Sequence, residues 1–235
     1  QAAQVVLLES DFSKMPEVVA EGRRVVNNIQ QSASLFLVKN IFSFLLSLVS
    51  IIFVFTYPLG PSQISLISMF TIGIPGFFLS LQPNKNVIKG RFLQNVLLKA
   101  LPAGLTDVLV VAVLAIFSRT FGVGGEDLST AATMLLAIVG FMILFKICKP
   151  LNSLRLAICI GCIVGFLASC ILFPGLFGIS SMSTKCVMLF VVFSIATEPI
   201  LRYLTKFNEF IQRLYGDREQ YKKKLKSVKD VLQRE

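Results

Sequence analysis

Apolar residues run almost unbroken through six stretches, at about residues 35–56, 64–81, 98–117, 131–147, 156–173 and 184–204. Short segments rich in Gly, Pro, Lys and Arg separate them. Each is near the roughly 20 residues that a helix needs to cross the ~30 Å hydrocarbon core of a bilayer. The pattern predicts an all-α membrane protein of six transmembrane helices. An even number of crossings puts both ends on one side.

The second stretch is interrupted. Phe70-Thr71-Ile72-Gly73-Ile74-Pro75-Gly76 places a Gly-Ile-Pro-Gly inside a run of spanning length. Pro75 has no N–H and, in a helix, leaves the Thr71 carbonyl without its usual donor. Backbone left unpaired in hydrocarbon costs several kcal/mol, so such a break is tolerated where it is buried in protein or lines a wet cavity. Carbonyls freed in this way bind ions in transporters built from discontinuous helices. Gly73, Pro75 and Gly76 therefore mark a helix break and a candidate polar site.

The first helix carries a polar seam. Asn40, Ser43, Ser47 and Ser50 recur at intervals of three and four, on one helical face. The seam is either a packing surface of small residues or part of a pathway. Beside it, Lys39 either snorkels to the interface or is functional, the default for ionisable groups in a membrane. Asp107 lies about ten residues into the third helix. It is an ion ligand, a partner for Lys39 or a protonated packing residue. Glu198, four residues before Arg202, reads as an i,i+4 ion pair.

Before the first span, Val5 to Leu8 reads as a strand, Ser13 as an N-cap and Pro16 as the first turn of a helix. A strand feeding a helix is the end of an α/β domain whose other strands lie elsewhere. After the last span, Tyr221, Leu225, Val228 and Leu232 share a helical face among lysines, a pattern suited to anionic lipid or to a solvated helix. This divides the chain into residues 1–30, 31–205 and 206–235. Opening on Gln1 rather than Met, the chain is expected to be a fragment.

Composition agrees: 54% of the 235 residues are hydrophobic, only 15% are charged, and Trp is absent. The net charge of +10 is not a nucleic-acid signature, because its distribution follows the positive-inside rule. Arg23 and Arg24 precede the first span. Lys85, Lys89 and Arg91 lie between the second and third, and Lys146, Lys149 and Arg155 between the fourth and fifth. The opposite loops hold only Arg119 and Lys185. Both termini are expected to be cytoplasmic, in a multi-pass protein of a bacterial plasma membrane whose immediate partner is the lipid bilayer. No other stable partner is evident. With no His, histidine catalysis is excluded. Cys159-Ile-Gly-Cys162 has redox-motif spacing but no second Cys pair, so it reads as helix packing by reduced thiols.

Residues Val5 to Phe12, then Val18 to Ile29 with Glu21-Gly22-Arg23-Arg24 and Asn27-Asn28, run into Ser32-Ala33-Ser34-Leu35-Phe36-Leu37. In this order the chain resembles the carboxy-terminal membrane segment of P-type cation-transporting ATPases, most closely the bacterial calcium-pump-like members. The resemblance covers about residues 1 to 205. It implies that the helices are the family's fifth to tenth, behind a strand-helix remnant of the phosphorylation domain. It also implies that the rest of the pump, which binds ATP and Mg²⁺, is missing from this chain.

In related calcium pumps the fifth and sixth helices supply ligands from Asn and Glu, then Asn, Thr and Asp. By resemblance these positions fall on Asn40, which matches, and Ser43 in place of Glu. They continue with Ser68 in place of Asn, Thr71, which matches, and Ile72 in place of Asp. Asn40 and Thr71 are thus the implied metal ligands. Both acids are gone, which argues against a full two-calcium site, since hard cations are held by oxygens that include carboxylates.

The implied function is the transport segment of an ATP-driven pump for Ca²⁺ or another divalent cation. It would have no catalytic residue of its own, since the phosphorylated aspartate and the nucleotide domain are absent. Two alternatives stand beside it: a P-type ATPase moving a lipid or polyamine, suggested by the lost acids and Lys39, and a non-enzymatic six-helix channel or scaffold.

Overall fold

The computed structural model describes residues 12–82, 92–149 and 151–232. The expected strand at residues 5–8 and the basic residues Lys85, Lys89 and Arg91 lie outside them. The described residues are helical apart from short connections and contain no strand. They include six helices long and apolar enough to cross a membrane.

Helix α1 (Met15–Ile52) follows a single 3-10 turn at Phe12–Lys14. That turn moves the N-cap position to Lys14 rather than Ser13, and Pro16 sits in the first turn as expected. The helix has 38 residues, or about 57 Å at 1.5 Å per residue. It is therefore one rigid rod that both spans and projects. Helix α2 (Pro61–Ser68) starts at Gly60, whose N–H donates to Gln63 Oε1 at 2.8 Å, satisfying a group that a helix start leaves open.

The chain does not break after α2. It passes through a π turn at Met69–Gly73 into α3 (Ile74–Ser80). The expected discontinuity is instead a widened turn within a 20-residue helical span. One physical reason is visible: Ile74 N–H reaches back five residues to the Met69 carbonyl, which accommodates the donor missing at Pro75 without unwinding the chain.

Helix α4 (Phe92–Phe121) is the central element, with two-thirds of its most apolar window buried. It packs on α1, on α5 (Gly125–Ile147) and on α8 (Thr184–Leu232). Pro102 lies inside α4 and cannot supply the Leu98 carbonyl with its i+4 bond; Asn208 Nδ2 of α8 donates to that carbonyl instead, at 2.6 Å. Helix α6 (Ser153–Leu172) sits at the side of α3 and α5, followed by the short α7 (Pro174–Phe177). Helix α8 continues without interruption past residue 205 and carries the expected Glu198–Arg202 pair at 2.5 Å.

Close approach is bought with small residues. A Cβ on Gly104 would lie 2.7 Å from Ile41 of α1, and one on Gly140 would lie 2.7 Å from Thr71. All five cysteines are free and buried. Cys148, Cys159 and Cys162 pack with Leu79 and Leu144, in accord with a packing role for the Cys-x-x-Cys pair.

Candidate functional site

The π turn places Thr71 against Gly140 of α5 and opens a cavity of about 50 Å³ between α1, α2, the π turn, α4 and α5. Its polar lining is Lys39 from α1, Ser68 and Thr71 from the interrupted helix, and Asp107 from α4; the rest is apolar, including Phe42, Ile67 and Leu136. Four of the six pathway candidates thus converge on one space from three elements.

Each side chain has a legible local cause. The Ser68 hydroxyl donates to the Ile64 carbonyl at 2.6 Å and Thr71 to the Ile67 carbonyl at 2.8 Å. Their hydrogens are thereby held back against the helix, and the oxygen lone pairs stay available as acceptors. Pro75 supplies no N–H to the Phe70 or Thr71 carbonyls, the acceptors five and four residues before it. Asp107 is 5% exposed, and its Oδ1 is buried without a hydrogen-bond partner. Lys39 and Asp107 border the same cavity without forming an ion pair; the ion pairs among the described residues are Arg24 with Glu21 and Arg202 with Glu198.

The other candidates lie apart. Asn40 is exposed and outside the cavity lining, on the outer face of α1 with Ser47. Ser43 is half-buried and faces Tyr57 of the following loop. Ser50 is buried, donating to the Leu46 carbonyl. The seam read as one face is therefore divided between the bundle and its surroundings. Gly73, Pro75 and Gly76 shape the π turn and its exit.

A polar clasp at the end of α3 was not apparent from the sequence. Asn28 of α1 is 5% exposed and donates to the carbonyls of Ser80 at 2.8 Å and Gln82 at 3.0 Å. Arg155 Nε in turn donates to Gln82 Oε1 at 2.6 Å, and its guanidinium reaches the Cys148 carbonyl at 3.3 Å. Asn28 thereby caps α3 and ties the site helix to the projecting rod of α1. The signal available was the adjacent pair Asn27-Asn28 just before the first span.

A largely apolar cavity whose side-chain oxygens come from Ser68, Thr71 and the unpartnered, buried Asp107 offers hard ligands. No group of three or more His, Cys, Asp or Glu side chains among the described residues is placed to hold a metal by itself, so the oxygens of Ser68 and Thr71 and the backbone would have to share the coordination.

No protein-family model matches the chain. It is similar to a probable cation-transporting ATPase of Streptococcus pneumoniae, with 36% identity over 192 residues, 78% of this chain and 25% of the relative. It is also similar to calcium-transporting ATPases of Mycobacterium tuberculosis, 36% identical over 170 residues (66% and 21%), and Mycolicibacterium smegmatis, 38% identical over 162 residues (63% and 20%). The chain spans a quarter or less of the length of these curated relatives. The order of the stalk residues, the six membrane-length helices and this similarity agree: the chain belongs to the bacterial P-type cation-transporting ATPases and forms part of their membrane region.

Proposed function

We propose that the complete protein is an ATP-driven pump for a divalent cation, Ca²⁺ first among them, and that this chain supplies its pathway. The observation that carries the reading is that Asp107, with a buried Oδ1 that has no hydrogen-bond partner, lines the same small cavity as Thr71 and Ser68. A bound cation would be held by Asp107, the two hydroxyl oxygens and the carbonyls that Pro75 leaves without a donor. Further oxygens would come from the rest of the pump. Lys39 on the cavity wall is a fixed positive charge that limits how much cationic charge the site accepts.

The cavity has room for a small cation. A water needs about 10–15 Å³ of such space, so 50 Å³ accommodates a dehydrated ion with a water or two. The similarity to ATPases favours a pump over a channel or scaffold. Hydrolysis, with a carboxylate nucleophile and Mg²⁺ shielding the phosphates, belongs to the remainder of the protein. The chain would transmit it through α1, whose projecting end and cavity wall are one helix. The charge distribution supports cytoplasmic termini in a bacterial plasma membrane.

The test is ATP hydrolysis by the full-length pump in proteoliposomes. Asp107→Asn and Thr71→Val are each expected to raise the half-stimulating Ca²⁺ concentration about tenfold or more, a loss of ~1.4 kcal/mol. Unchanged Ca²⁺ dependence in both variants would remove the site. Stimulation by phospholipid with no response to any divalent cation would transfer the reading to a lipid pump.

A further inference from the structure

One turn beyond the cavity, α2 carries a second buried polar side chain. Gln63 is 3% exposed, and its amide makes hydrogen bonds to three other residues. Its Oε1 accepts from the Gly60 N–H at 2.8 Å and from the Ser129 hydroxyl of α5 at 2.6 Å, and its Nε2 donates to the Gly178 carbonyl at 2.8 Å. Gly178 has φ +62°, a conformation that favours glycine, and this turn presents its carbonyl to Gln63.

On the far side of this latch lies a larger cavity of about 610 Å³, between the loop that follows α1, the start of α5, and α7 with the loop after it. Its walls include Thr56, Tyr57, Ser129 and Ser180, and its charged side chain is Glu126. The two cavities are in register. On α2, Gly60 lines the outer one and Ile64 the inner one, with Gln63 between; on α5, Ser129 lines the outer and Leu136 the inner. Thr133 lies between them, fully buried, with its hydroxyl on the Ser129 carbonyl at 2.8 Å. Gln63, Ser129 and Thr133 thus form a short oxygen-bearing partition between the two cavities.

We propose that Gln63 is the outer gate of the pathway, separating the Asp107 cavity from a cation vestibule that carries Glu126. This rests on the cation-pump reading above. With its three bonds made, the amide closes the α2–α5 seam. Released from Gly178 and Ser129, it turns an amide oxygen, a hard cation ligand, toward the passing ion. A mouth with a single carboxylate and several hydroxyls concentrates cations. A mere staple of the outer loops would hold the same bonds without controlling access, and accessibility separates the two.

The experiment uses the full-length pump with Thr133→Cys as reporter. A membrane-impermeant cationic thiosulfonate is applied to each face in turn, and modification is read at residue 133 by mass spectrometry. With Gln63 intact the reporter is expected to stay unmodified. With Gln63→Leu it is expected to react at least fivefold faster from the face bearing the 53–60 and 173–183 loops. If Gln63→Leu does not fold, Ser129→Ala removes one of the three bonds and is expected to give a smaller increase from the same face. Equal rates with and without the latch, in whichever variant folds, overturn the gate. Labelling does not depend on cargo, so it stands apart from the Ca²⁺-dependence of hydrolysis, whose absence would overturn the pump reading alone.

Discussion

At Gly140 a hydrogen atom decides how close α5 comes to the π turn. Gly140→Val would drive a side chain into Thr71, whose Cγ2 lies 2.7 Å from the ideal Cβ, and overpacking of this kind costs about 1–3 kcal/mol. Because the displaced group belongs to the proposed site, the expected result is a lower melting temperature together with weaker cation stimulation. Gly161→Ala, with nothing within 4 Å, is expected to change neither. A second residue-scale prediction concerns Cys148, just past the end of α5. Burial, followed by the neighbouring Cys159 thiol 3.4 Å away, pushes its pKa up to about 12 from 9.0. The folded state therefore favours the protonated thiol. That contribution is complete below pH 9 and is lost as pH rises from 9 towards 12. At neutral pH alkylation of Cys148 is expected to be slow in the fold and fast in detergent-unfolded protein, measured by mass spectrometry over a pH series.

Between elements, the decisive contacts are those that make two helices move together. Asn28 links α1 to the end of α3, so Asn28→Ala leaves the Ser80 and Gln82 carbonyls without their donor, at about 1 kcal/mol for each lost bond. Cation binding to the isolated state is expected to persist while the ratio of cations moved to ATP hydrolysed falls. An unchanged ratio would make Asn28 a stability residue only. The spans themselves were legible in the sequence, because an uninterrupted apolar run of membrane length has few other uses. So were the Glu198–Arg202 pair and the continuity from Pro16 into the first span. The Gly-Ile-Pro-Gly segment was legible as a perturbation but not as a π turn, since residue types report a missing donor and not which carbonyl the next N–H will choose. Which of the six pathway candidates share one space was not legible, for a related reason. Asn40 and Lys39 are adjacent in sequence, yet about 100° of rotation puts one on the cavity wall and the other on the outer face. Gly140, whose absent side chain admits Thr71, leaves no polar signal.

For the chain as a whole, the charges on the cavity wall set what it would contribute to the proposed cation site. The cavity holds one carboxylate, Asp107, and one ammonium, Lys39, in about 50 Å³. A divalent ion beside Asp107 already leaves net positive charge with Lys39, and a second such ion would add two more charges at a few ångströms in a poorly screened interior. The expected stoichiometry is a single divalent cation per ATP, measured as cation uptake against phosphate release in tight proteoliposomes. Lys39→Met keeps the apolar stem and removes the charge. It is expected to lower the half-stimulating cation concentration several-fold, because the ion no longer enters against a fixed positive charge, and to slow release for the same reason. If Lys39 instead snorkels to the interface, the substitution should leave both cation affinity and stoichiometry unchanged. The two accounts thus separate on one variant: a fixed charge on the cavity wall changes the energy of every ion that enters, whereas an ammonium in the headgroups is screened by water and salt and is not felt at Asp107.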